Sequence, residues 1–359
     1  YGDNAGIIKS ADSIQITADG SNNIIFYTVN GGAIQNDSIL KADIGIGNIG
    51  IFSDLGNIKN NGDILIGDSK IVYTAGVVDS NLSTYAVGIY GENSEIINYG
   101  DISLGAGAIG IYTKNNSVIT QNYGNITGGT SSIPKTGVIG IIANNGKGIE
   151  NFGNITLYGD GAIGIAGTNA RNIINNGIIS VTGNNAMGIY APSGTLVENN
   201  GTINILGTGS AGIVAPSGKI ANNGTIYFSD GAAATKEPNE YPLPDLENMG
   251  LIIVNGHFSN EGMNISIKPD INTLRASAIA GIDFVLNSGT ISANTMTITD
   301  TVNILPDFSQ GTNANVYMLE NIFITSTGQV VSPNGKLPVV SKSLTWEATP
   351  SINDSGNID

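Results

Sequence analysis

The 359-residue sequence has no cysteine, one histidine, one tryptophan and only 14 Lys plus Arg, of which two, Arg171 and Arg275, are arginine. Each scarcity excludes something. Without cysteine there is no disulfide scaffold and no thiolate metal or redox site. His257 is the one residue on which a histidine-based triad could be built. It lies in "VNGHFSNEG", no G-x-S-x-G elbow accompanies it, and a turn or surface histidine is the expected role. The few cations face 29 Asp plus Glu, a net charge of −15, which is the wrong sign for nucleic acid or an anionic membrane surface. No apolar run approaches the ~18 residues that a membrane-spanning helix needs. The opening "YGDNAGIIKS" does not read as a signal peptide and already contains a repeat-like "NAGII", so the sequence reads as a piece of a longer chain.

Three residue types are abundant. There are 56 Ile, 50 Gly and 46 Asn, together about 42% of the chain, against 17 Leu. Ile favours strands, because a β-branched side chain packs well on a pleated surface. Gly and Asn supply tight turns, since both tolerate positive φ.

These residues recur in two alternating motifs. The first is apolar-x-Asn-x-Gly-x-Ile, with glycines at Gly62, Gly100, Gly124, Gly153, Gly177, Gly201, Gly224, Gly250 and Gly289. Asparagine stands two residues before each, including Asn151, Asn175, Asn199, Asn222 and, in the last copy, Asn287. Isoleucine stands two residues after each, including Ile155, Ile179, Ile203 and Ile226. The second motif is small-x-Gly-Ile, as in "AVGIY" from Ala86 and "AMGIY" from Ala186. Gly177, Gly201 and Gly224 lie 24 and 23 residues apart. A short fixed period of strands and turns means stacked units, and a lone unit cannot bury its apolar face.

The expected fold is all-β: a right-handed, three-sided parallel β-helix with coils of about 24 residues, each stacked about 4.8 Å above the last. The Ile residues form an interior ladder, and the Asn residues form an amide ladder at a bend that Gly permits. A β-sandwich with chance repeats is the alternative, and a propeller needs longer units. Residues 1–249 are assigned to coils. The period decays after Gly250, so residues 250–346 are assigned to an atypical β-rich cap and 347–359 to a linker.

Candidate chemistry is thin. G-x-G-x-x-G occurs at Gly105/Gly107/Gly110, Gly159/Gly161/Gly164 and Gly207/Gly209/Gly212, but no helical pattern follows to receive a pyrophosphate. Asp63 and Asp101 share one phase of the repeat, and later copies place Asn125, Asn154, Ile178 and Thr202 there, so no acidic cluster for polysaccharide cleavage builds up. Calcium at an isolated loop such as Ser229–Gly231 is an alternative to solvated turn carboxylates. Tyr90, Tyr112 and Tyr190 share a phase and suggest packing before sugar stacking. The expectation is no enzyme activity and no cofactor or metal.

Length varies in one half of the coil only. Extra residues fall at about Gly67–Tyr85, Gly129–Thr136 and Ala232–Glu247, between the first-motif glycine and the second. Insertions at one phase protrude along one edge of a rod, a favoured place for binding. Candidate partner-binding residues there are Lys70, Tyr73, Tyr85, Lys135, Glu240 and Tyr241.

The phrases "NNGTIN", "NYGDISLGAGAIGIY" and "NFGNITLYGDGAIGIAG" resemble the repeats of passenger domains in large fusobacterial autotransporter adhesins of the RadD-like group. The end, "SLTWEATPSINDSGNID", resembles the stretch just before their membrane barrel. The resemblance implies a monomeric cell-surface adhesin passenger with an autochaperone-like C-terminal region. It implies anchoring to the outer membrane through a barrel outside this chain, and a receptor protein or glycan on another cell as partner. A passive spacer for a more distal binding region and, third, a polysaccharide-degrading β-helix are the competing functions. No site residue carries over from the resemblance.

Overall fold

A computed structural model describes residues 2–3, 6–12, 14–74, 77–129, 137–215, 218–229, 246–260, 264–305, 317–326, 330–332, 337–341, 349–351 and 357–359. Among the described residues the only helix is a three-residue 3-10 turn at Ile271–Thr273. The strands pair in parallel, each with its counterpart one coil away, in one sheet of 20 strands and another of 13.

Three faces wind round a single core. Face one holds Ile49–Asp54, Val87–Glu92, Ile109–Lys114 and Met187–Tyr190 among others. Face two holds Asn57–Asn60, Glu95–Asn98, Leu196–Asn199 and Lys219–Asn222. The 13-residue strands Ile139–Asn151 and Ile163–Asn175 run unbroken from face one into face two, which joins these faces into the larger sheet. Face three is the smaller sheet, with Ile64–Asp68, Ile102–Leu104, Ile178–Val181 and Thr202–Ile205. The chain is thus a parallel β-helix, as its repeat implies.

The interior follows from the motif. Ile64, Ile102, Ile126, Ile155, Ile179, Ile203 and Ile226 stack in register on face three and are at most 4% exposed. Each such burial contributes about 1.5–3 kcal/mol relative to exposure. Opposite them stand the second-motif glycines. A Cβ on Gly188 would lie 2.6 Å from Cγ2 of Ile203 and 2.5 Å from the Gly212 carbonyl oxygen. Glycine is required there because the isoleucine fills the space.

At the corner between faces two and three runs the amide ladder. Asn36, Asn60, Asn98, Asn122, Asn151, Asn175, Asn199, Asn222 and Asn248 are all fully buried. Each Nδ2 donates to Oδ1 of the next coil's asparagine, at 2.7 to 3.0 Å. The same Nδ2 donates to the carbonyl two residues on, as from Asn175 to Gly177 at 3.1 Å. The ladder has one polarity throughout. It begins with the Ser10 hydroxyl donating to Asn36 Oδ1 and ends with Asn248 Nδ2 donating to the Thr290 carbonyl. Burying a primary amide is tolerable because every polar atom finds a partner.

Two features differ from the sequence expectation. The ladder extends upstream to Asn36, in "QNDSIL", where Ser38 replaces the motif glycine and Leu40 the isoleucine. It does not include Asn287. Ile291 does lie in register with Ile252. Asn287, however, ends an outlying strand, Phe284–Asn287, that pairs with Arg275–Ala276 and Tyr317–Glu320. Ile267 occupies the row beyond Asn248 in its place. The long interval after Gly250 reroutes the chain, so the spaced Asn no longer returns to the corner.

Strands past residue 250 continue the stacking. Leu251–Val254 pair with Thr225–Phe228 on one side and with Thr290–Ala293 on the other. Val302–Ile304 pair with Ile265–Ile267. Ile358 folds back in an antiparallel bridge to Phe323, and both are buried.

Candidate functional site

The insertion at Gly67–Tyr85 forms a hairpin that leaves the coil and returns to it. Tyr73–Thr74 pair antiparallel with Val77–Val78, and Lys70 bridges Thr84. The Lys70 and Thr84 backbones exchange hydrogen bonds of 2.8 and 2.7 Å. Below them, Ser69 Oγ accepts from Ala86 N at 2.9 Å, which closes the base where the next coil begins. Asp79 organises the tip. Its carboxylate accepts from the Thr74 hydroxyl and from Asn81 N, each at 3.0 Å, while its carbonyl accepts from Leu82 N and Ser83 N.

On the hairpin, Leu82 is 57% exposed, Tyr85 39% and Val78 37%. Burial pushes the Tyr85 phenol pKa above its ordinary value, with a further contribution from the nearby Tyr73 phenol. Lys70, Tyr73 and Tyr85, picked from sequence, therefore share one excursion, with Lys70 exposed at its neck and Tyr73 half-buried beside Tyr85. Lys135, Glu240 and Tyr241 lie outside the described residues.

Two aromatic columns run up the outside. Tyr27, Phe52, Tyr90 and Tyr112 stack on face one, with centroids 4.9 to 5.0 Å apart. Tyr190 shares the phase but is separated from them by Ile142 and Ala166. Burial raises the Tyr90 phenol pKa first, and the Glu92 carboxylate adds to it. The second column, Tyr99, Tyr123 and Phe152, stacks at the Asn-x-Gly corner with centroids 5.0 and 4.6 Å apart. Sequence reading passed over it because the middle residue of Asn-x-Gly is free to vary. Its signal is the run "NYG", "NYG", "NFG" in consecutive coils. In both columns the ring faces cover one another, so packing between coils occupies the surfaces that a sugar would stack on.

The remaining candidates have structural work. Gly110, Gly164 and Gly212 of the three glycine triads lie in strands of face one, against Ile126, Ile179 and Ile226. Asp63 Oδ1 accepts from Asp101 N at 3.2 Å, and Asp101 Oδ1 from Asn125 N at 2.8 Å, so this row ties one coil to the next. His257 is exposed and hydrogen-bonded through Nδ1 to the Thr295 hydroxyl at 2.8 Å.

Residues 279–359, under a quarter of the chain, match the family model described as the BigA beta sandwich domain. This is a bacterial surface, adhesin-type domain. No curated protein and no solved structure matches the chain. Within the matched segment, Thr290–Thr297 and Phe323–Thr325 extend face three while Val302–Ile304 and Val339–Ser341 extend face two. Two sheets thus face each other across the Ile291, Phe323 and Val302 side chains at the end of the coil stack.

Proposed function

We propose that the chain is part of the passenger of a cell-surface adhesin of the autotransporter kind. The coil stack is a stiff rod, and recognition without chemistry happens at segments that leave it along one edge. The partner is a receptor protein or glycan on another cell, the rod acts as a monomer, and an outer-membrane barrel beyond this chain anchors it. The adhesin-type domain at residues 279–359 supports a surface location.

The observation that carries the proposal is the hairpin at Gly67–Tyr85. It displays Val78, Leu82 and Tyr85 to solvent, and its neck is closed by the Lys70–Thr84 bridge. Three exposed large apolar side chains within one excursion from the coil give a partner a surface to bury. The test is cell binding by the chain and by versions in which Gly67–Tyr85, Gly129–Thr136 and Ala232–Glu247 are each replaced with a short Gly-Asn turn. Unchanged melting with reduced binding for at least one replacement supports the proposal. Binding equal to the parent for all three refutes it and leaves the rod a spacer.

A further inference from the structure

Asn-Gly is the dipeptide most prone to spontaneous deamidation in an open chain, because glycine leaves the attacking backbone nitrogen unshielded. Four such pairs occupy the corner beside the amide ladder: Asn61–Gly62, Asn176–Gly177, Asn200–Gly201 and Asn223–Gly224. At each, both reacting ends are held. The glycine nitrogen donates to a ladder carbonyl of the preceding coil. These bonds are Gly62 to Asn36 at 3.2 Å, Gly177 to Asn151 at 3.1 Å, Gly201 to Asn175 at 2.9 Å and Gly224 to Asn199 at 2.8 Å. The side-chain amide that must depart is also a donor: Asn61 to Asp37 at 2.6 Å, Asn176 to Glu150 at 3.3 Å, Asn200 to Asn176 at 3.0 Å and Asn223 to Asn200 at 2.8 Å.

We propose that the four corners are latent modification sites, sealed by coil stacking and converted to aspartate and isoaspartate when a coil opens. The glycine nitrogen attacks Cγ of the asparagine, and the new C–N bond closes a succinimide. Ammonia leaves, carrying Nδ2 and the glycine proton. Water then opens the ring at either carbonyl, leaving one new carboxylate. Closing the ring brings the glycine nitrogen onto Cγ and expels Nδ2, which breaks both hydrogen bonds at once. The product does not fit back. Isoaspartate lengthens the backbone by one methylene, at glycines where even a Cβ would meet a carbonyl oxygen at 2.0 to 2.1 Å. The new carboxylate also stands beside Asp37 or Glu150, or in the amide column itself. Conversion is thus a permanent record that a coil has opened.

The test incubates the whole chain in mildly alkaline buffer, folded and in urea, and follows each Asn-Gly pair by peptide mass spectrometry and isoaspartyl methyltransferase labelling. The four corners are expected to convert at least about tenfold more slowly in the folded chain than in urea, since local opening limits them. A second arm uses Ile203→Asp to open one part of the stack, where Asn176 and Asn200 should convert faster than Asn61. Corner conversion in the folded chain at the urea rate overturns the proposal. If Ile203→Asp fails to fold, the wild-type comparison alone decides.

Discussion

Replacing Asn175 with leucine tests the amide ladder most directly. The side chain is fully buried and sits mid-stack. Its Oδ1 accepts from Asn151 at 3.0 Å, and its Nδ2 donates to Asn199 at 2.9 Å and to the Gly177 carbonyl at 3.1 Å. Leucine has a similar volume but removes all three bonds. Asn151 Nδ2 keeps its bond to the Gly153 carbonyl, and the Gly177 carbonyl still accepts from Thr202 N at 3.0 Å, so the orphaned group is Asn199 Oδ1. An orphaned buried acceptor costs about 1–3 kcal/mol, and the substitution should cost about that much. The control is Asn176→Leu, one residue on, whose side chain is partly exposed, so water can replace its bonds with Glu150 and Asn200 and its loss should cost no more than about 1 kcal/mol. Urea unfolding by circular dichroism gives the global difference. Amide hydrogen exchange locates it, because stacked coils need not unfold as one unit. The expected result is loss of protection in the coils of Asn151, Asn175 and Asn199 for Asn175→Leu, and none for Asn176→Leu. Equal effects of the two substitutions would refute the reasoning that the ladder, and not the corner's general packing, holds the coils in register.

Ile203→Asp should destabilise by several kcal/mol, because the site is fully buried within the apolar core; a melting temperature near that of the parent would contradict the assigned interior. Gly188→Ala should cost at least about 1–3 kcal/mol, since its Cβ meets Ile203 and a backbone oxygen that cannot withdraw, as measured by denaturant midpoint. Tyr90 is expected to ionise above free tyrosine. A phenol pKa raised in the folded state means that the stabilisation is fully present below the unfolded pKa of about 10 and is lost as pH rises through the folded value. Tyr90→Phe should therefore flatten the alkaline limb of the stability profile, and tyrosinate absorbance against pH supplies the direct check.

The core was legible in the sequence because a stacked coil demands the same residue at the same place. A ladder amide can bond only to another amide one coil away, so Asn151, Asn175, Asn199 and Asn222 had to repeat, and with them the glycine of the bend. The same demand hides degenerate copies. At Asn36 the corner survives with Ser38 and Leu40, since serine also fits the bend and leucine also fills the core. A second asparagine column, Asn93, Asn115, Asn145 and Asn169, escaped notice altogether. These residues take φ of 50° to 56° at the corner between faces one and two, where asparagine tolerates the left-handed region. The surrounding letters differ in every coil, and Leu55 takes the same conformation, so backbone geometry and not a motif defines the row. Asn287 fails in the opposite way, keeping the motif while its strand has left the stack.

The candidate site was less legible, for a related reason. Coil stacking constrains every residue that has a partner above and below, whereas the hairpin between Lys70 and Thr84 is closed by bridges within itself. Its order comes from Asp79 and the Lys70–Thr84 bridge, short-range contacts that leave no period to detect. What the sequence did reveal is where length varies, and a rod translates that into position: residues added at one phase leave from one edge. The aromatic corner marks the limit of that reasoning. Tyr99, Tyr123 and Phe152 lie on a surface that the repeat keeps constant in length, and two coils later the same place holds Asn200. The corner therefore accepts stacked rings or bonded amides, because either pairs with its own kind one coil away. Side-chain identity outside the rod is set by neighbouring coils before any partner is considered. In the hairpin between Lys70 and Thr84, Val78 and Leu82 are exposed outside the coil ladder, which leaves them for a partner to bury.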